Sequence, residues 1–279
     1  MSPVALSFRD KLQKQREENG TLLCVGIDPV PARLPDGLAG EEGLEIFVRG
    51  IVESTREYAC VFKPNLAFFE AFGLAGRRVL SQIPKQAGDD FPVLLDAKLA
   101  DIGNSSVRYA EAFLIREGFD AITINPYMGY DSVAPFLQQE GKGGFLLCLT
   151  SNPGSMDLQQ EPMADGRALF LHIADIIAEW EEEFGTAGAV VGATKPEELA
   201  AVREILPDLP LLIPGVGAQG GDLEAVLKVA VGPELKPALI NASRSIIYAS
   251  SGADFQEAAA AEASRLSSAM RDLLPALAG

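Results

Sequence analysis

The feature that most constrains this chain is a strict alternation. Short apolar runs rich in β-branched residues occur at 21–27, 59–63, 92–98, 119–125, 144–150, 187–194, 209–214 and 236–241. Amphipathic stretches of helical length, at 41–58, 66–83, 105–117, 132–140, 165–184, 196–206 and 222–229, fill the gaps between them, and 253–274 follows the last run. The runs are apolar nearly throughout rather than at every second position. That is the pattern of strands covered on both faces, as in a parallel sheet sheathed by helices. Strand–helix alternation carried through eight units predicts an α/β protein of the (β/α)8 or TIM-barrel class. An open doubly wound sheet is the alternative, but no GxGxxG follows the first run. A further helix leads the chain (about 5–19, its pattern clearest over 7–19), ended by Gly20. With no linker or low-complexity tract, residues 1–279 are expected to form a single barrel domain. The longest irregular stretch, 151–166, follows the fifth run and is expected to be a lid.

Composition excludes several function classes. The formal charge is −16, from 39 acidic and 23 basic residues. No basic stripe is present, which argues against a nucleic-acid partner. Such a field repels anionic small molecules, so any phosphate site must be locally basic or built from backbone N–H groups. No apolar run approaches the ~18 residues of a membrane span. The first twenty residues are polar and lack the apolar core of a leader, so the protein is expected to be cytoplasmic. Cys24, Cys60 and Cys148 are far apart and sit in apolar runs, as buried small hydrophobes do. His172 is the only histidine and lies in a helical stretch. A His-based metal cluster and a Ser-His-Asp triad are therefore unsupported, and His172 reads as structural or surface.

In a (β/α)8 barrel the chemistry sits where the strands end. The third run ends Asp96-Ala97-Lys98-Leu99-Ala100-Asp101. Alternation along a strand turns Asp96 and Lys98 the same way. Charges at the end of such an apolar strand must pair, and Lys63 at the end of the second run can share their space. The residues thus form an array of Lys63, Asp96, Lys98 and Asp101, which would serve equally as a capping ion-pair network. The seventh run ends Pro214-Gly215-Val216-Gly217-Ala218-Gln219-Gly220-Gly221, and Ser243-Arg244 follows the eighth. Glycines let backbone N–H groups approach an anion, and a guanidinium fork matches a phosphate. Asp28, Ser151 and Asn152 are weaker signals, because such residues also serve turns.

The run from Asp96 to Asn104 resembles the DxKxxDI signature of the orotidine 5′-phosphate decarboxylase family. Gly26-Ile27-Asp28-Pro29 and Phe62-Lys63-Pro64-Asn65, with Phe68-Phe69-Glu70, resemble its longer bacterial branch. Pro214 to Gly221 and Ser243-Arg244-Ser245-Ile246-Ile247-Tyr248 are similar to its phosphate-binding segments. Ser105 stands where a threonine is usual, and Ser243 where a glycine often precedes the arginine. The resemblance implies loss of CO2 from orotidine 5′-monophosphate to give UMP, the last step of de novo pyrimidine nucleotide synthesis, with no metal or organic cofactor. It implies Lys98 as proton donor to C6, Asp96 facing the departing carboxylate, and Lys63 holding the array. It further implies a homodimer in which Asp101 enters the neighbouring subunit's site. Asp28 would bind the ribose and Ser151 the pyrimidine. Gln219 and Arg244 would bind the phosphate, with Ser105, Pro214, Gly215 and Ser243 also lining the substrate.

Related barrels offer a metal-dependent sugar-phosphate decarboxylase or lyase as an alternative. Those relatives need a carboxylate near the second strand, where this chain has Lys63, a cation that repels a metal. A Schiff-base aldolase would need a neutral amine, which flanking acids disfavour. A non-catalytic sensor of phosphorylated ligands would have no use for a proton donor in the array.

Overall fold

Each of the eight apolar runs forms a strand, and all eight lie parallel: β1 (Leu23–Ile27), β2 (Val61–Pro64), β3 (Leu94–Leu99), β4 (Ala121–Ile124), β5 (Gly143–Leu149), β6 (Ala187–Val191), β7 (Leu211–Pro214) and β8 (Ala238–Ala242). The computed structural model describes residues 6–193, 195–215 and 223–277. The ladder runs β2-β1-β8-β7-β6-β5-β4-β3. Isolated parallel bridges Phe62↔Val93 and Asn65↔Asp96 join β2 to β3 and close the ring. This is the barrel that the alternation predicts.

Two apolar cores follow from strands covered on both faces. The larger lies between the strands and the helical shell, with Phe47, Phe69, Phe91, Phe113 and Phe136 among its members. The smaller fills the barrel's interior, with Cys24, Val61, Leu94, Ala121, Phe145, Val190, Leu212 and Leu239 drawn from all eight strands. Phe8 and Leu12 of the leading helix α1 (Phe8–Asn19) complete that inner core. The helix therefore plugs the floor of the barrel. Ser7 and Asp10 form a reciprocal capping box at its start, and Gly20, at φ 57°, ends it. Phe8 meets Phe145 edge-on at 5.6 Å between ring centres. Gly143 makes room for it, since a Cβ there would stand 2.9 Å from the Phe8 ring. Burying Phe8 contributes about 2–3 kcal/mol, so a good part of the floor's stability resides in a segment outside the (β/α)8 repeat.

The helical shell departs from the periodicity reading at several points. The stretch 66–83 is two helices, Leu66–Glu70 and Gly73–Ala87. Gly73 adopts φ 62°, and a Cβ on Gly76 would lie 1.8 Å from the Phe69 carbonyl oxygen. Glycine thus permits a tight corner that apolar spacing conceals. The stretch 105–117 is an α-helix, Gly103–Ala110, that widens into a π-helix, Glu111–Arg116. The helix expected from 165 begins at Leu169.

The irregular stretch 151–166 has local order of its own. The segment contains a 3-10 turn, Pro153–Asp157, and the bridge Pro162↔Ala168. The Gln159 side chain fastens it to Thr150, accepting from that residue's backbone N–H at 2.8 Å. The Gln159 contact is made by a polar side chain whose partner is close in space but not signalled by any periodicity.

The three cysteines are buried, and burial pushes the Cys60 and Cys148 thiols up to about 12. His172 lies on the Leu169–Phe184 helix, 3.1 Å from Asp165. Among the described residues no helix is long and apolar enough to cross a membrane.

Candidate active site

Lys63, near the end of β2, is 4% exposed, and Asp96 on β3 is 8% exposed. Lys63 Nζ lies 3.0 Å from Asp96 Oδ2, and Lys98 Nζ lies 2.5 Å from Asp96 Oδ1. The two lysines thus grip one carboxylate from opposite oxygens. Asn65 Nδ2 donates to Oδ2 at 3.4 Å and Thr123 Oγ1 to Oδ1 at 3.0 Å. Burial alone would raise the Asp96 pKa, but Lys63 and then Lys98 hold it well below the usual carboxylate range. Burial alone would lower that of Lys63, but Asp96 and, more weakly, Asp28 raise it above the ordinary lysine value. Two buried opposite charges therefore keep each other ionised, while the Lys98 side chain remains 45% exposed at the mouth.

Asp96 and Lys98 meet as expected, but simple strand alternation is not the reason. Lys98 adopts φ 49°, a left-handed conformation uncommon outside glycine. The β3–β4 register runs Leu95↔Ile122 and then Leu99↔Ile124, so Asp96, Ala97 and Lys98 all fall opposite Thr123. The strand bulges there, as strands do beside active sites. Thr123 was not among the candidates read from the sequence. Its signal was a lone hydroxyl between two isoleucines in an otherwise apolar strand. Asn65, also absent from those candidates, caps the Leu66–Glu70 helix while reaching Asp96.

Beside this array, Asp28 follows β1. Its Oδ2 accepts from Ser243 Oγ at 2.6 Å, and its Oδ1 is buried with no partner among the described residues. Gly26 allows this approach, since a Cβ there would lie 2.6 Å from Ser243 Cβ. Tyr248 ties the same corner together. Its hydroxyl accepts from Val30 N at 2.6 Å and donates to the Asp28 carbonyl at 3.4 Å, under the Arg33 guanidinium.

The fourth member of the expected array stays apart. Asp101 Oδ1 accepts from Ile102 N at 2.8 Å, and among the described residues Asp101 pairs with neither lysine. Ser105 lies in the first turn of the Gly103–Ala110 helix and Ser151 just past β5, both half-buried. Pro214 closes β7 and Gly215 follows at φ 99°. Exposed Arg244 opens the short helix Arg244–Ile247 after β8. Gln219 and the glycine-rich residues around it lie outside the described residues. Among the described residues, no three His, Cys, Asp or Glu side chains gather as they would around a metal ion.

The array can place an ammonium group, anchored on an ionised carboxylate, against an atom that becomes negative. Comparison with known proteins adds to this geometry. Residues 21–261 match the model of the orotidine 5′-phosphate decarboxylase / HUMPS family. An orotidine 5′-phosphate decarboxylase of Herpetosiphon aurantiacus is 47% identical over 253 residues, covering 90% of this chain and 93% of that one. The structure of Leishmania donovani OMP decarboxylase superposes with a TM-score of 0.82 at 36% identity, over 96% of this chain and 99% of that one. Leishmania donovani UMP synthase is 38% identical with a TM-score of 0.84; the match covers 95% of this chain, which spans 57% of that longer one. On the length of the family match and the level of identity, the chain belongs to the orotidine 5′-phosphate decarboxylase / HUMPS family.

Proposed function

We propose that the mouth of this barrel converts orotidine 5′-monophosphate to UMP and CO2 by delivering a proton from Lys98 to C6 of the pyrimidine. The overall reaction, a carboxy-lyase step of pyrimidine nucleotide synthesis, follows from family membership. The roles of individual residues rest on the family resemblance and, for Lys63, Asp96 and Lys98, on their geometry as well. The observation that carries them is the Lys63–Asp96–Lys98 chain, with only its last ammonium group open to the mouth.

Breaking the bond between C6 and the carboxylate leaves the electron pair on C6, with little delocalisation to spread it. An ammonium already fixed beside that carbon stabilises the developing charge without reorganising and then transfers its proton. The neutral amine left behind regains a proton from solvent. Asp96 keeps Lys98 in place and stands beside the departing carboxylate. Their repulsion fades as neutral CO2 forms, a smaller effect than stabilisation of the carbanion. Lys63 offsets the cost of burying Asp96.

The unpartnered Asp28 Oδ1 suits a ribose hydroxyl, with Ser243 fixing the other oxygen. Ser151 reads the pyrimidine edge, and Ser105 reaches the substrate from the first turn of the helix after β3. Arg244 and Gln219 hold the phosphate beside Pro214 and Gly215, and this remote binding serves to position the reacting ring. Asp101 completes the array from the second copy in a homodimer, which accounts for its lack of a lysine partner among the described residues of one chain. The enzyme works in the cytoplasm on a free nucleotide.

The test is an ultraviolet assay for loss of orotidine 5′-monophosphate absorbance, with EDTA present throughout. Turnover is expected to survive the chelator and to vanish in Lys98→Ala. Turnover that needs added metal, or that persists in Lys98→Ala, overturns the reading.

A further inference from the structure

We infer that Thr123 is a positioning residue for this reaction: its hydroxyl holds the β3 bulge that presents Lys98 and Asp96 to the substrate. The inference rests on Lys98 being the proton donor.

Thr123 is 1% exposed and lies between Ile122 and Ile124, both fully buried. A hydroxyl in such surroundings must be hydrogen-bonded. It has one proton to give and two lone pairs to fill. The backbone N–H groups of Ala97 and Lys98 both donate to Thr123 Oγ1, each at 2.9 Å. With both lone pairs taken, the hydroxyl proton points to Asp96 Oδ1, 3.0 Å away. One side chain on β4 therefore holds three consecutive residues of β3 at three different atoms.

That grip accounts for the unusual backbone. In a regular parallel ladder the N–H groups of β3 would meet carbonyls of a neighbouring strand. Here Asp96, Ala97 and Lys98 crowd opposite Thr123, and the hydroxyl oxygen takes the two donors displaced from that pattern. Their binding holds Lys98 at φ 49°, where a non-glycine residue does not settle unaided. The carboxylate is fixed by the same device. Lys98 and Thr123 share Oδ1, while Lys63 and Asn65 share Oδ2. Without the hydroxyl, the peptide between Ala97 and Lys98 loses its anchor and Asp96 keeps only three of its donors. The Lys98 ammonium is then free to leave the position from which it reaches the substrate. Binding of ribose and phosphate involves other strand ends and should be spared.

Thr123→Val keeps shape and volume but removes the donor and both acceptor sites. Thr123→Ser keeps the hydroxyl and loses a methyl, and Thr123→Ala removes both. Steady-state kinetics on the three variants, with thermal melts as a check of folding, separate positioning from packing. We expect kcat to fall about 100-fold in Val and Ala, the effect of a small misplacement of a reacting group, with KM within threefold of the parent. Serine should restore kcat to within threefold. A kcat near the parent value in Val or Ala overturns the inference, as does an equal loss in Ser and Ala. If Val does not fold, the Ser and Ala pair decides by the same criteria. Lys98→Ala is run alongside. If it still turns over, the reading of Lys98 fails, whereas a dead Lys98→Ala beside a fully active Thr123→Val sinks only the role of Thr123.

Discussion

Asp96 and Asp120 are both aspartates buried in this barrel, 8% and 6% exposed, and each is gripped by a lysine. They lie at opposite ends. At the floor, Lys11 of α1 donates to Asp120 Oδ1 at 2.7 Å, and Val93 N donates to Oδ2 at 2.9 Å. Every bond of that cluster ties one piece of scaffold to another. The lysine is 13% exposed, with nothing left to meet a ligand. At the mouth, one carboxylate holds two lysines and two neutral donors, and one of those lysines is 45% exposed on a left-handed residue. A buried ion pair is therefore no sign of catalysis by itself. What marks the upper cluster is an unspent cation, fixed by a carboxylate with other supports, beside an opening.

The comparison breaks most visibly at Lys98. Lys98→Ala should lower kcat by about 10⁴-fold or more, combining loss of the proton donor with loss of charge stabilisation. Its thermal midpoint should stay within about 3 °C of the parent, because the side chain is half-exposed. Steady-state assays with thermal melts check both halves. A large fall in midpoint with activity retained per folded molecule would make the upper cluster a second scaffold tie.

Asp120→Asn should do the reverse. It leaves Lys11 buried without its counter-charge, a loss of about 3 kcal/mol, visible as roughly 5–10 °C in Tm. The kcat of the folded fraction should not change. Urea titration with activity measured below the transition is the check, and a kcat loss at unchanged stability would mean that the floor acts on the chemistry.

Arg244→Ala sharpens the contrast within the mouth itself. Arg244 is exposed and meets the substrate's remote end in the proposed mode. Losing a charge-assisted contact should cost about 2 kcal/mol, near 30-fold in kcat/KM, with stability untouched. Single-turnover measurement at saturating substrate separates this from the chemical step. Equal effects of Arg244→Ala and Lys98→Ala on the bound complex would erase the division between holding and reacting.

The two clusters also differ in how far the sequence disclosed them. The barrel was legible because eight apolar runs leave strands no alternative to burial on both faces. Lys63, Asp96 and Lys98 were legible because charges ending such runs must find one another. The bulge was not, because it depends on Thr123, whose partners lie 25–27 residues away on a neighbouring strand. The Lys11–Asp120 tie was hidden for the same reason, its partners being 109 residues apart. The fastening of 151–166 by Gln159 is closer in sequence, but a glutamine amide has no periodicity to betray it. Asp101 was grouped with the lysines by its place after β3 and by the family resemblance, and among the described residues of one chain it pairs with neither of them.

The smallest expected effect is a flat line, and it tests whether the upper pair is held as tightly as its geometry implies. The folded pKa of Asp96 is depressed, so its contribution to stability is present above the unfolded value of about 3.9 and is lost only as pH falls through the lower folded value. The folded pKa of Lys63 is raised. Its contribution is therefore complete below the unfolded value of about 10.4 and is lost only as pH rises through the higher folded value. Neither group changes charge between those limits in either state. The carboxyl carbon shift of Asp96 in the parent, followed by NMR, should then be constant from about pH 5 to pH 9. A shift that begins to move toward pH 5 would mean that Asp96 takes up a proton within the ordinary carboxylate range. The carboxylate would then lose charge where the chemistry needs it, and the Lys98 ammonium would lose its anchor.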